Sequence, residues 1–114
     1  MTKGAWLEEF PGAITVCDTR GIILEMNARA AQVFREQGGK GLIGSNLLDC
    51  HPEPSRTKTQ RLLATGERNV YTIEKGGARK LVYQAPWYAE GAFAGLVELS
   101  LELPESMPHF VRGA

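Results

Sequence analysis

Cys50 and His51 are adjacent, and a thiolate beside an imidazole makes a pair of good soft metal ligands. A metal site needs further donors at workable spacing. Cys17 is the other cysteine, no Cys-x-x-Cys or Cys-x-x-Cys-His run occurs, and the second histidine, His109, lies in the segment Met107–Arg112 with no pattern to bring it back. No metal ligand is assigned, and both cysteines read as small buried hydrophobes. The carboxylates available for acid–base work, Glu25, Asp49, Glu74 and Glu98, are dispersed, and Gly-x-Ser-x-Gly and His-Glu-x-x-His are both absent. Gly38-Gly39-Lys40-Gly41 has the glycines and lysine of a phosphate cradle. It lacks a Ser or Thr after the lysine and follows a helical stretch instead of a strand, so it reads as a flexible connector. No catalytic residue is assigned, and an enzyme is not expected.

Charge narrows the partners. Thirteen Lys and Arg balance thirteen Asp and Glu, so no global field draws nucleic acid or anionic lipid to the chain. Arg56, Lys58 and Arg61, with Arg79 and Lys80, read as a solvated face. Met1 to Glu8 is too mixed for a signal segment, and no apolar run approaches the roughly 20 residues of a membrane span. The expectation is a cytoplasmic protein that binds neither nucleic acid nor membrane. At 114 residues and 43% hydrophobic content, a single domain with one apolar core is the natural size.

The elements that must position these residues follow from periodicity. Trp6, Leu7 and Phe10 have helical spacing, and Pro11-Gly12 stops them. Ala13–Cys17 and Ile22–Met26 are β-branched runs joined through Asp18-Thr19-Arg20-Gly21, a hairpin. Asn27 is placed as the N-cap of a helix from Ala28 to Gln37, with Gly38-Gly39 as its stop. Short helical turns are expected over residues 42–50, then a helix from Pro54 to Thr65 ending at Gly66. From Asn69 the period changes to two: strands Val70–Glu74, Lys80–Tyr88 and Phe93–Leu101, with an irregularity or early end expected at Pro86. The alternation predicts Tyr71, Ile73, Leu81, Tyr83, Ala85, Val97 and Leu99 under the helices. Burial is expected for Ile14, Val16, Leu24, Phe34, Leu63, Ile73, Leu81, Tyr83, Val97 and Leu99. Val82, Ala94 and Leu96 are then outward, beside Trp6, Leu7 and Phe10.

Three segments in this order resemble the PAS domain family. Residues 11–27 are similar to its opening hairpin, ending in an Asn that starts an Ala-rich helix. Leu42-Ile43-Gly44-Ser45-Asn46-Leu47-Leu48-Asp49-Cys50-His51-Pro52-Glu53 is similar to its hydrophobic-Gly-x-x-hydrophobic-x-Asp-x-His-Pro linker, and the closing meander turns at glycines as the family's does. The resemblance implies an α+β, PAS-like fold, a five-stranded antiparallel sheet with short helices packed on one face. The expected division is an N-terminal helix over residues 1–10, the PAS-like domain over 11–103 and a tail over 104–114.

The family's sheet and helices enclose a space where many members bind a small molecule, haem or flavin. The resemblance puts Phe34, Leu47, His51, Leu63, Tyr71, Ile73, Tyr83, Trp87 and Val97 around it. The aromatics among them also suit plain core packing. His51 fits the family's turn before a helix, where the ring satisfies a backbone carbonyl. No cofactor is assigned. Flavin photochemistry is disfavoured, because Leu47 and Leu48 stand where a Gly-x-Asn-Cys-Arg motif has its Cys and Arg, and haem is disfavoured because Pro54–Thr65 contains no His. The implied function is a sensory or signalling module that binds a small ligand or a partner protein. With no kinase, cyclase or DNA-binding segment, its output is expected in trans on a signalling protein. The alternative is a ligand-free module for protein interaction and dimerisation. A homodimer is expected, through Trp6, Leu7, Phe10, Val82 and Leu96. Protein purified from cells is expected to be colourless, and a Soret band or flavin spectrum near stoichiometric occupancy would contradict this.

Overall fold

The computed structural model describes residues 4–113. Its first hairpin pairs β1 (Ala13–Asp18) with β2 (Ile23–Met26), with a bulge between Val16 and Cys17. Asn27 follows, 1% exposed, and every polar atom of its amide is used. Oδ1 accepts from the N–H groups of Ile14 and Ala30, each at 3.0 Å, while Nδ2 donates to the carbonyls of Leu7 at 3.0 Å and Gly12 at 2.8 Å. One of these bonds caps α2 (Ala28–Val33), as the sequence predicts. The others tie that cap to the start of β1 and to α1 (Ala5–Glu8).

Three 3₁₀ turns follow, at Arg35–Gln37, Gly39–Leu42 and Leu47–Cys50, and then α3 (Ser55–Thr65). The predicted helix to Gln37 is therefore divided. It stops at Val33 because Phe34 leaves helical geometry, and the Phe34 ring packs against the core cluster. The Gly38–Gly41 connector carries Lys40, whose ammonium pairs with Glu8 of α1 at 2.5 Å.

Strands β3 (Asn69–Lys75), β4 (Ala78–Ala89) and β5 (Ala92–Glu102) form the meander. The two-residue turn Gly76-Gly77 has φ of 60° and 81°, the left-handed pair that matches the twist of a tight hairpin. The sheet order is β2-β1-β5-β4-β3 with every neighbouring pair antiparallel, so the chain's last strand lies beside its first. Gly95 makes that seam possible: a Cβ there would lie 1.9 Å from the Cys17 carbonyl oxygen. Helices cover one face of the sheet, and the core between the layers gathers Ala13, Cys17, Ile23, Met26, Ala30, Leu47, Leu62 and Leu96.

Pro86 does not end its strand. β4 continues to Ala89, and the irregularity falls one residue later, between Trp87 and Tyr88. β3 has its last partner at Gln84, so Pro86 lies where β4 has β5 on one side only and a missing N–H is tolerated.

The larger correction concerns the faces of β4 and β5. Val82, Gln84, Leu96 and Glu98 face the helices, with Val82 and Leu96 5% and 4% exposed. Leu81, Tyr83, Ala85, Val97 and Leu99 are therefore on the opposite, outer face, and all five are only half-buried. Tyr71 and Ile73 do share the helix side, in register with Val82 and Lys80, but edge strand β3 lies past the helical cover and leaves both exposed. Leu24, on edge strand β2, is exposed as well. Of the expected core, Ile14 is buried, while Val16, Phe34 and Leu63 are half-buried.

Replacing Asn27 by Ala leaves two N–H groups and two carbonyls without partners, at roughly 1 to 3 kcal/mol for each group that stays dry. A loss of about 3 kcal/mol is expected in urea unfolding, and Asn27→Asp should be as damaging because a carboxylate faces two carbonyls. A loss below about 1 kcal/mol for Asn27→Ala would show that water replaces these bonds. Truncating Phe34 to Ala should cost less than the roughly 3 to 5 kcal/mol of a fully buried Phe.

Candidate functional site

One row crosses the helix-covered face from strand to strand: Asn69 opposite Gln84, Gln84 opposite Glu98, and Glu98 opposite Thr15. All four side chains are polar. Asn69 Nδ2 donates to Gln84 Oε1 at 2.7 Å, and Gln84 Nε2 donates to Glu98 Oε2 at 3.1 Å. The carboxylate can only accept, so it sets which way round the Gln84 amide stands, and the ladder is directional. Gln84 is 6% exposed, whereas Glu98 is half-buried. Among the described residues no cation forms an ion pair with Glu98.

Leu47 and Thr59 stand over this row, from the third 3₁₀ turn and from α3, and both are buried. Two small cavities remain beneath them, each of about 10 Å³, which is room for about one water molecule. Both are bordered by Thr15, Leu47 and Glu98. The first continues to Phe34, Leu42 and His51, and the second to Cys17, Thr59, Gln84 and Leu96. His51 Nδ1 lies 2.8 Å from the Leu47 carbonyl, which can only accept, so the ring carries its proton on Nδ1 and anchors the turn that holds Leu47. The side chain of Cys50 lies outside what the structure describes.

Glu98 also acts at a distance. Burial pushes the Cys17 thiol above its ordinary range, and the charges of Asp18 and Glu98 push it further, against a lowering contact from the Leu96 backbone. Tyr71 is raised in the same way, by burial first and Glu98 second. Neither group is an activated nucleophile.

The pocket residues expected from the sequence divide into three groups. Phe34, Leu47 and His51 line the first cavity. Leu63 packs at the margin of the core, and Tyr71 and Ile73 stand exposed on β3. Tyr83, Trp87 and Val97 fall on the outer face: Tyr83 accepts a hydrogen bond from Arg68 Nη1 at 3.2 Å, and the Trp87 indole N–H donates to the Cys17 carbonyl at 2.9 Å. The polar row was not among the candidates, although Gln84 and Glu98 interrupt otherwise apolar strands at positions that pair.

Of the residues expected at a dimer contact, Val82 and Leu96 are buried beneath the helices and cannot meet a partner. Trp6 and Phe10 are exposed at 67% and 38% and pack edge to face, 6.2 Å between centroids, while Leu7 is half-buried. Arg61 and Arg79 bond to Glu67 and Glu74 on different elements, so the basic residues expected as a solvated face do not assemble into one patch. Among the described residues no three His, Cys, Asp or Glu side chains converge to hold a metal ion, and no helix is long and apolar enough to cross a membrane.

Both raised groups keep their protons longer in the folded chain than in the unfolded one. As pH climbs past their ordinary values of 9.0 and 10.0, the unfolded state loses protons first and stability falls. The urea midpoint should hold level from pH 7 to about pH 8 and then drop toward pH 11, with a smaller drop in Cys17→Ala. A midpoint that rises over that range would contradict the burial of these groups.

The sequence profile of the PAS fold matches residues 5–82. A search of the curated proteins finds no significant match. Among solved structures, a C-terminal domain from Streptococcus mutans shares 22% identity at a TM-score of 0.68, covering 88% of this chain and 81% of that one. The Aer2 receptor of Vibrio cholerae, a dual PAS-haem oxygen sensor, shares 17% identity at 0.59, covering 82% of this chain and 95% of that one. The VqmA dimer of Vibrio cholerae shares 14% identity at 0.65, with the whole of this chain covered against 58% of that one. These likenesses are of fold. With the profile running over most of its length and the same sheet beneath it, the chain belongs to the PAS family of sensory domains.

Proposed function

We propose that this chain is a sensory module that takes a small ligand on the helix-covered face of its sheet, recognised at Glu98. The reading rests on one observation, the ladder from Asn69 through Gln84 to a half-buried carboxylate that no described cation neutralises. Taking a carboxylate partly out of water is costly unless something donates to it. Gln84 uses Oε2, which leaves Oε1 for a second donor. A protonated amine, an amidine or a ring N–H is the group that fits, and the walls formed by Phe34, Leu42 and Leu47 suit a small apolar body attached to it. Space comes from moving the cover, because three consecutive 3₁₀ turns between Arg35 and Cys50 have poorer hydrogen-bond geometry than an α-helix.

In this reading residues 11–103 form the sensing body, and the N-terminal helix and the segment 104–114 pass the change to a signalling protein in trans. Catalysis is no part of it. The Aer2 receptor, of similar fold, is a dual PAS-haem oxygen sensor, which supports a sensory reading.

A second reading, a module for dimerisation, is favoured by the outer face. Val16, Leu81, Tyr83, Val97, Leu99 and Leu101 share that face and each keeps part of its apolar surface in water, which a second copy would cover. VqmA, of similar fold, is a dimer. The two readings are compatible, since they use opposite faces.

Thermal shift against matched panels of small organic amines and small organic acids separates them. Amines should raise the midpoint, acids should not, and Glu98→Gln should weaken amine binding by roughly tenfold or more, the worth of a charge-assisted hydrogen bond. A response equal in wild type and Glu98→Gln would remove Glu98 as the recognition group. Light scattering tests the outer face: twice the 12.5 kDa of one chain, reverting to one in Leu99→Glu, is the dimer result.

A further inference from the structure

The second binding feature lies outside the helix-covered cavity and shares no residue with it. α2 and the 3₁₀ turn after it face the hairpin of β3 and β4 across an open cleft of about 360 Å³. Arg29 and Arg35 border it from one side, Lys75 and Lys80 from the other, and Glu36 is the single carboxylate in its lining. Four cations against one anion is a strong local departure in a chain whose thirteen positive and thirteen negative side chains cancel.

The other surface clefts show what usually happens to such cations. Lys40, in the cleft beside α1, pairs with Glu8 at 2.5 Å, and Arg79, in the cleft beside the end of β5, pairs with Glu74 at 3.6 Å. None of the four cations in the α2 cleft forms an ion pair with a described residue. Glu102 is opposite Lys80 in register, yet it borders the cleft of Arg79 and leaves Lys80 free. Arg35 Nη1 makes a long contact of 3.5 Å to the Gln32 carbonyl and has no carboxylate partner among the described residues. Like charges gathered in a concave site repel one another until an anion enters.

We infer that this cleft is a binding site for a small polyanion, a molecule carrying two or more phosphate or carboxylate groups. Two guanidinium forks and two ammonium groups match such a ligand, the forks by paired hydrogen bonds and the ammonium groups as point charges. Its volume falls in the range of small-molecule sites. A duplex needs charge along a longer surface, and the neutral chain offers no such stripe.

Calorimetry at low salt with sodium pyrophosphate, ATP and citrate as probes tests it. At least one should bind with Kd below about 1 mM. Arg35→Gln with Lys75→Gln, both exposed positions, should weaken that binding by about tenfold or more, while Arg56→Gln with Lys58→Gln on α3, the same change in charge, should leave it unchanged. Equal weakening by both pairs would mean diffuse attraction and overturn the site. So would the absence of binding by all three probes, or tighter binding to a short DNA duplex or anionic vesicles than to any probe. The amine response at Glu98 should persist in Arg35→Gln with Lys75→Gln, so failure at one site is distinguishable from failure at the other.

Discussion

The fold depends on a single amide. Asn27 is where the first hairpin ends, where α2 begins and where α1 and the chain entering β1 come back, and its side chain has no unused hydrogen-bonding capacity. Two acceptor positions meet two N–H groups and two donor hydrogens meet two carbonyls, so nothing polar is buried alone at this junction. Serine, threonine or aspartate would cap α2 equally well. None of them also donates twice, and without those donors the carbonyls of Leu7 in α1 and of Gly12 before β1 lose their bonds to this junction.

The spacing of residues makes half of this visible. An Asn before an Ala-rich stretch is legible as an N-cap because that bond is local, three residues long. The bonds to Leu7, Gly12 and Ile14 span 20, 15 and 13 residues, and no local pattern announces them. Strands, turns and family were legible for the same reason, since alternation and paired glycines are properties of short windows. The faces were not. Alternation in β4 and β5 says which residues share a side, but choosing the side assumes that the apolar set faces the helices, and here Leu81, Tyr83, Val97 and Leu99 face away from them. A shift of one position in that choice exchanges every residue. It moved Tyr83, Trp87 and Val97 into the expected pocket, and Val82 and Leu96 out to an expected interface, where the structure has the reverse.

That exchange is the informative result. An ordinary two-layer domain keeps its apolar residues between the layers and its polar ones outside. This sheet has a row of Asn69, Gln84, Glu98 and Thr15 beneath the helices and a broad apolar surface on its other side. Functional or strained sites are where local rules of this kind are expected to break. A polar row inside a small core suits recognition and an apolar outer face suits association, so under the proposed reading the two halves of a sensory role would use opposite faces of one sheet.

The distance between those surfaces is the thickness of one strand. Cys17 has its thiol in the inner core beside Glu98 and Leu47, while its carbonyl accepts the indole N–H of Trp87, whose side chain belongs to the outer face. Gly95 lies between them with no side chain, and the backbone of β5 closes on β1 so tightly that even a Cβ has no room. Close-packed contacts of this kind do not absorb displacement; they transmit it. A ligand that lifted Leu47 and Thr59 to reach Glu98 would alter the packing of Cys17, and the strand carrying Cys17 could shift only by moving against Gly95 and the Trp87 hydrogen bond. The seam between the first and last strands thus offers a mechanical route from the proposed recognition group to the surface where a partner would sit.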